Sequence, residues 1–288
     1  MYPKTRLGVL RKSAISLVKI TTRVKLAMLF SCRTVHTPKI ILITGVTGAI
    51  GGALARAYAE KGITLHLHGR KQDQLNQVAA ECRASGANVI TYSFDLLDSH
   101  AVTHWLEQLG APLDLFVANA GININTGDDL AGEKPEEMEA LLDLNVKATL
   151  LMSGQVAKLM RARGRGQIAL MSSLAGFYGL PVTPSYSASK AAVKAYGEAL
   201  RGWLAPAGVG VSVIMPGYVT SSMCHEMPGP KPFMWPPEKA ASVICKGLSR
   251  NRARITFPFP LNLGCWCLSV LPPAISGMIL KFLDYDGQ

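Results

Sequence analysis

The sequence predicts an α/β fold in which a single domain is built on a doubly wound parallel sheet. Three observations predict it. Short apolar runs recur at the spacing of β-α units, helical patterns fill the gaps between them, and a glycine-rich turn at residues 44–52 joins the first run to the first helical pattern. Strands are expected at 39–44, 64–68, 88–93, 113–118, 167–171, 209–214 and 254–257. Helices are expected near 51–61, 71–84, 98–109, 135–162, 185–204 and 237–250. Gly62, Gly86, Gly110 and Gly208 stand at helix exits, where a left-handed residue ends a helix. Strands that are apolar along their whole length imply a parallel sheet covered on both faces. A ligand then belongs at the carboxyl ends of the strands.

The chain has 288 residues, and a doubly wound domain takes roughly 250. The expected division is a basic amino-terminal extension at 1–38, one domain at 39–257 and an apolar tail at 258–288. No segment repeats at a fixed period. The net charge of +11 is local: residues 1–39 hold nine lysines and arginines and no acid, and the first acidic residue is Glu60. The body is therefore close to neutral, and nucleic acid is not an expected partner, since that would call for basic groups interleaved with aromatics on a folded face. The acid-free, amphipathic arm has two readings. One is an organelle-targeting or membrane-surface segment; the other is an upstream start, with Met28 as the initiator. Six cysteines lie scattered without a C-x-x-C pair, which fits reduced thiols inside a cell. His100 and His104 are four apart, but two histidines make a poor metal site, so no metal is expected.

The turn reads T-G-V-T-G-A-I-G-G, and strand, glycine turn, helix is the context of a dinucleotide fingerprint. Glycine lets the backbone turn tightly and approach a pyrophosphate, which then rests on the helix's amino end. The second strand ends in H-L-H-G-R at 66–70. An acid there would grip both ribose hydroxyls; Gly69 and Arg70 instead offer a guanidinium to a 2′-phosphate. NADP(H) is accordingly favoured over NAD(H).

Ser173 stands thirteen residues before Tyr186, and Tyr186 four before Lys190. On a helix beginning after Pro184, the last two share a face. The lysine ammonium is expected to lower the phenol from its usual pKa of about 10. Such a phenol exchanges a proton with a carbonyl oxygen, while the Ser173 hydroxyl holds that oxygen from a preceding strand end.

Together these motifs make the chain similar to the short-chain dehydrogenase/reductase family, in its classical branch, from about residue 39 to about 257. Other landmarks follow in order: Asp95-Leu96, Asn119-Ala120-Gly121, Asn145 in L-N-V-K-A, and Pro216-Gly217. The resemblance implies a Rossmann-type fold and assigns roles. Tyr186 is the acid/base and Lys190 also binds the nicotinamide ribose. Asn145 anchors a water in the proton relay, Asp95 contacts adenine, and Asn119 stabilises the sheet. Gly45, Thr47, Gly48, Ile50, Gly51, Arg70, Leu96, Ala120 and Gly121 complete the cofactor site, and Pro216, Gly217 and Val219 line the nicotinamide. Pairing through the helices near 135–162 and 185–204 is also implied, as a homodimer or homotetramer. The family pattern T-G-x-x-x-G-x-G has glycine where Ala49 stands, a methyl that would crowd the pyrophosphate slightly, and Ala118 stands where many members have asparagine. The glycines also fit T-G-x-x-G-x-x-G of the extended branch, which acts on nucleotide sugars. That alternative would call for a separate substrate domain. A second alternative, a sensor without turnover, has no need of Ser173, Tyr186 and Lys190.

Residues 216–237 are rich in proline, methionine and aromatics and read as a lid over an apolar substrate. Residues 255–280 carry no charge, but Pro258, Pro260, Pro272 and Pro273 interrupt them. The tail is therefore expected to lie along a membrane or over the pocket rather than to span a bilayer. The function expected is interconversion of a secondary alcohol and a ketone, with an apolar, lipid-like substrate.

Overall fold

The computed structural model describes residues 37–109, 112–127, 131–227 and 229–285; the expectations for the amino-terminal arm, Gly110 and lid residue Pro228 lie outside them. Seven strands form one parallel sheet. They are β1 (Ile40–Thr44), β2 (Thr64–His68), β3 (Asn88–Tyr92), β4 (Leu115–Ala118), β5 (Gly166–Met171), β6 (Val209–Pro216) and β7 (Arg254–Phe257), in the order β3-β2-β1-β4-β5-β6-β7. The order reverses between β1 and β4, and a doubly wound sheet opens its crevice at that reversal.

The strand pleat sorts the core into two layers. Ile41, Ile43, Leu65, Leu67, Leu115, Val117 and Ala169 point to one face. There they pack on α1 (Ala49–Tyr58), α2 (Gln72–Ala84) and α8 (Pro237–Ser249). Leu42, Phe116, Ala118, Ile168, Leu170 and Val211 point to the other. That face meets α3 (Ser99–Gln108), α5 (Thr149–Arg163) and α6 (Pro184–Leu204). Each such Leu, Ile, Val or Phe side chain taken out of water contributes about 1.5–3 kcal/mol, so a one-residue slip of any central strand would be heavily penalised. Gly62, Gly86 and Gly208 all have positive φ at helix exits.

One segment differs from expectation, and the tail takes a form the sequence left open. The helix expected at 135–162 is three pieces: α4 (Pro135–Leu142), a π-helical turn over Asp143–Ala148, and α5. Asn145 sits in that turn with its side chain satisfied by the backbone of Ile122. Its Oδ1 accepts from the Ile122 N–H at 2.9 Å and its Nδ2 donates to the Ile122 carbonyl at 2.8 Å. The apolar tail folds as two ten-residue helices, α9 (Leu261–Val270) and α10 (Pro273–Phe282). Ser276, fully buried, donates to the Leu268 carbonyl at 2.9 Å and ties one to the other. Among the described residues no helix is long and apolar enough to cross a membrane. Between β6 and α8 the segment expected to form a lid holds one short helix, α7 (Ser222–His225), and a bridge from Val219 to Trp235.

Candidate active site

The crevice at the carboxyl ends of β1, β4, β5 and β6 is a cavity of about 560 Å³. One end is formed by the glycine turn, whose geometry is fixed by a small hydrogen-bond knot. The Thr44 hydroxyl accepts from the amides of Asn119 and Ala120, each at 3.1 Å, and Asn119 Nδ2 donates to the carbonyls of Thr44 and Gly45 at 3.0 and 3.1 Å. Gly45 has φ +69°, and a Cβ on Gly51 would stand 2.4 Å from the Gly45 oxygen. Glycine is obligatory at both positions because the turn packs against itself there. Gly48 is the extended N-cap of α1 and has no side chain to cap the helix. The amino end formed by Ala49, Ile50 and Gly51 lines the cavity, ready for an anion. Ala49 is the first helical residue, so alanine is unstrained there, and Thr47 lines the same wall.

Beyond β2, Gly69, Arg70 and Lys71 line the cavity. A Cβ on Gly69 would come within 2.7 Å of the Thr47 methyl, so any side chain at this position would have to push the Thr47 side chain aside. Asp95 is exposed on the cavity rim with Oδ1 accepting from the Leu97 amide at 3.0 Å, and Leu96 is buried beside it. Asp95, Leu96, Asn119, Ala120 and Gly121 all line this part of the cavity. These features fit a dinucleotide: an uncapped helix end for its diphosphate, paired cations beyond β2, and a glycine wall that a Cβ would fill.

At the other end, Ser173, Tyr186 and Lys190 face the same cavity. Ser173 leaves β5 in an extended conformation, and its Oγ accepts from the Ala175 amide at 3.2 Å. Its hydroxyl donates to the Pro216 carbonyl over 3.5 Å, a bond long enough to yield to a better acceptor. Tyr186 and Lys190 lie one turn apart on α6, with Nζ 5.4 Å from the centre of the phenol ring. Lys190 is 4 % exposed, donates to the Met171 carbonyl at 3.2 Å, and is pushed down to about 8 by burial.

The expectation that Lys190 lowers the Tyr186 pKa is corrected here. Burial pushes the phenol above its usual value, and the group that pulls it back is the Ser173 hydroxyl. The ammonium stands over the ring at 5.4 Å from its centre, and burial outweighs the Ser173 hydrogen bond in setting the direction. The role expected of Asn145 is also narrower. Its second Nδ2 hydrogen goes to Ser189 Oγ at 3.2 Å, so its side chain can offer a water only the remaining lone pair of Oδ1. Ser189 in turn donates to the Tyr186 carbonyl at 2.7 Å, linking Asn145 to the turn that carries the phenol.

Pro216, Gly217 and Val219 form the wall after β6; Gly217 donates to the Phe257 carbonyl at 2.8 Å. Several lining residues went unrecognised in the sequence. Lys71 directly follows Arg70, and that basic pair was the available signal. Tyr178 carried none, while Tyr218 and Cys224 fell within 216–237 without being singled out. The tail closes the cavity with Leu268, Leu271, Ile279, Leu280 and Leu283. Among the described residues no cluster could hold a metal ion, and His100 and His104 lie on α3, away from the cavity lining.

A model of the short chain dehydrogenase family matches residues 39–230. The chain belongs to the short-chain dehydrogenase family. It is an oxidoreductase of that family, with the Rossmann-type sheet its members share. An uncharacterised oxidoreductase of Myxococcus xanthus (strain DK1622) is 34% identical over 235 residues, covering 80% of this chain and 92% of that protein. A 3α-hydroxysteroid dehydrogenase of Mediterraneibacter gnavus is 31% identical, covering 66% of this chain and 77% of the relative. Among solved structures, a short-chain dehydrogenase from Sphingobium yanoikuyae in complex with NADPH superposes with a TM-score of 0.72. It is 25% identical over 83% of this chain and 94% of that one.

Proposed function

We propose that this short-chain dehydrogenase reduces an uncharged, apolar ketone to a secondary alcohol with NADPH. The observation that carries the reading is that Ser173, Tyr186 and Lys190 share one cavity with the uncapped amino end of α1. When bound, the nicotinamide would supply the hydride. The protein's residues do the rest. The α1 amino end and Arg70 with Lys71 would hold the phosphates; Lys190 and the wall at Pro216, Gly217 and Val219 would hold the nicotinamide end. Ser173 turns its hydroxyl from the Pro216 carbonyl to the substrate oxygen and fixes it. Tyr186, kept protonated by burial, gives that oxygen its proton. The NADPH in the Sphingobium neighbour supports the cofactor choice, as does the cation pair after β2.

The substrate class follows from the other wall. Met223, Met227, Leu261, Leu268, Leu271 and Leu280 line it with hydrocarbon, and the lining cations and Asp95 belong to the cofactor's side. A carboxylate or phosphate on the buried body of the substrate would lose its hydration without a partner. The hydroxysteroid substrate class of the Mediterraneibacter relative is compatible with this. A nucleotide sugar is not, and the extended-branch alternative is set aside for that reason. The intact Ser173, Tyr186 and Lys190 group speaks against a cofactor sensor.

Two further parts of the reading concern surfaces. Phe259, Trp266, Val270, Met278 and Phe282 are exposed around the tail helices, which supports a tail lying against lipid. Leu151 and Leu159 on α5 and Trp203 on α6 are exposed too, which supports pairing of two copies through those helices. The experiment for the reaction is NADPH oxidation with decalone, a neutral bicyclic ketone, by the wild-type enzyme and Tyr186→Phe.

A further inference from the structure

The helix that carries Tyr186 and Lys190 lacks its own cap. Thr183 is the N-cap of α6, yet its side chain makes no capping bond, and its hydroxyl is buried without a partner. Pro184 has no N–H to offer, so Ser185 is the first residue with an amide to satisfy. That amide donates to Glu133, at 3.1 Å to Oε1 and 3.2 Å to Oε2, and the Ser185 hydroxyl donates to Oε2 as well. Glu133 lies 52 residues earlier, on the loop between β4 and α4. Its neighbour Lys134 pairs with Glu137 at 3.1 Å. A carboxylate here also meets the positive end of a 21-residue helix.

The loop is held on both sides. The Thr126 amide donates to the Val182 carbonyl at 3.1 Å, one residue before the helix cap, and the Gly132 amide donates to Thr126 at 3.1 Å. Towards the lid, Asn125 Nδ2 donates to the Glu226 carbonyl over 3.5 Å. Glu133 therefore grips the residue next to Tyr186 from a loop that also touches the lid.

We propose that Glu133 is a positioning residue, which by clamping Ser185 sets where the Tyr186 hydroxyl stands relative to Ser173. It does not touch substrate or cofactor and acts through the first turn of α6. The inference rests on the reaction proposed above. The test compares Glu133→Ala and Glu133→Gln with wild type, all loaded with NADPH. Hydrogen exchange of the Ser185–Ser187 amides is followed by mass spectrometry, and decalone reduction gives kcat and KM. Glu133→Ala should speed exchange at those amides by about tenfold or more and lower kcat by about tenfold, since small misplacements of a reacting group are costly. KM and NADPH affinity should stay unchanged. Glu133→Gln, which keeps a carbonyl acceptor, should recover most of kcat. Unchanged exchange would overturn the proposal. So would faster exchange with unchanged kcat, or a parallel fall in kcat, NADPH affinity and melting temperature, which marks general loosening. A wild-type enzyme that reduces no ketone would overturn the reaction and not the clamp, which the exchange rate decides by itself.

Discussion

Single atoms decide the character of this site. The Gly69 Cα approaches the Thr47 methyl so closely that a Cβ would stand 2.7 Å away. A side chain there would have to push the Thr47 side chain aside, and the next side chain is a guanidinium. Arg70→Ala should therefore weaken NADPH binding by about tenfold, the loss of a charge-assisted contact, and leave NADH nearly unaffected. Fluorescence titration with both cofactors measures this; equal losses would show that Arg70 does not read the 2′-phosphate. The identities of Ser173, Tyr186, Lys190 and Arg70 were legible because chemistry at fixed spacing leaves a mark in the chain. The electrostatics were not. The balance between burial and hydrogen bonding at the phenol depends on packing that no spacing encodes, and here burial outweighs the Ser173 hydroxyl. Glu133 was equally hidden, since its partner Ser185 is 52 residues away.

At the scale of elements, β2 is unusual in burying two histidines, His66 at 2 % and His68 at 1 % exposure. His66 Nδ1 meets the Tyr92 hydroxyl at 2.9 Å, and His68 Nε2 donates to the Phe94 carbonyl at 2.9 Å. Burial pushes both imidazoles below 6.5, so the folded protein keeps them neutral where the unfolded chain would take up protons. The unfolded state then binds more protons, and stability falls as pH drops below about 6.5 while holding above it. Urea midpoints between pH 7.5 and 5.5 should show this fall, and His68→Phe should flatten it; a flat wild-type profile would contradict the assignment. The strands were legible because each carries a short run rich in Ile, Val and Leu bounded by glycine or polar turns. The π-helical turn at Asp143–Ala148 was not, because it leaves the apolar pattern of 135–162 intact while shifting Asn145 onto Ile122. The four prolines of the tail marked its breaks. They carried no sign of which side packs inward, since both sides of α9 and α10 are apolar.

The whole molecule joins a family domain to a tail that reaches back over the active-site cavity. Tyr178 donates to the Pro273 carbonyl over 3.5 Å. Tyr218 donates to Tyr285 over 3.4 Å, and Tyr285 donates to the lid carbonyl of Pro230 at 3.0 Å. The tail thus has an inner face lining the cavity and an outer face bearing Phe259 and Phe282, exposed by 75% and 84%. Phe259→Ser/Phe282→Ser should abolish flotation with phosphatidylcholine vesicles while leaving NADPH affinity intact; if wild type does not float, the outer face contacts protein instead. The most direct measurement of the account is decalone-dependent NADPH oxidation by Tyr186→Phe. This variant keeps the ring that Lys190 faces and removes only the proton-bearing oxygen. NADPH should bind with wild-type affinity, and kcat should fall by a factor on the order of 100 or more. Turnover close to wild type with the cofactor bound would contradict Tyr186 as the proton donor and, with it, the reaction proposed for this cavity.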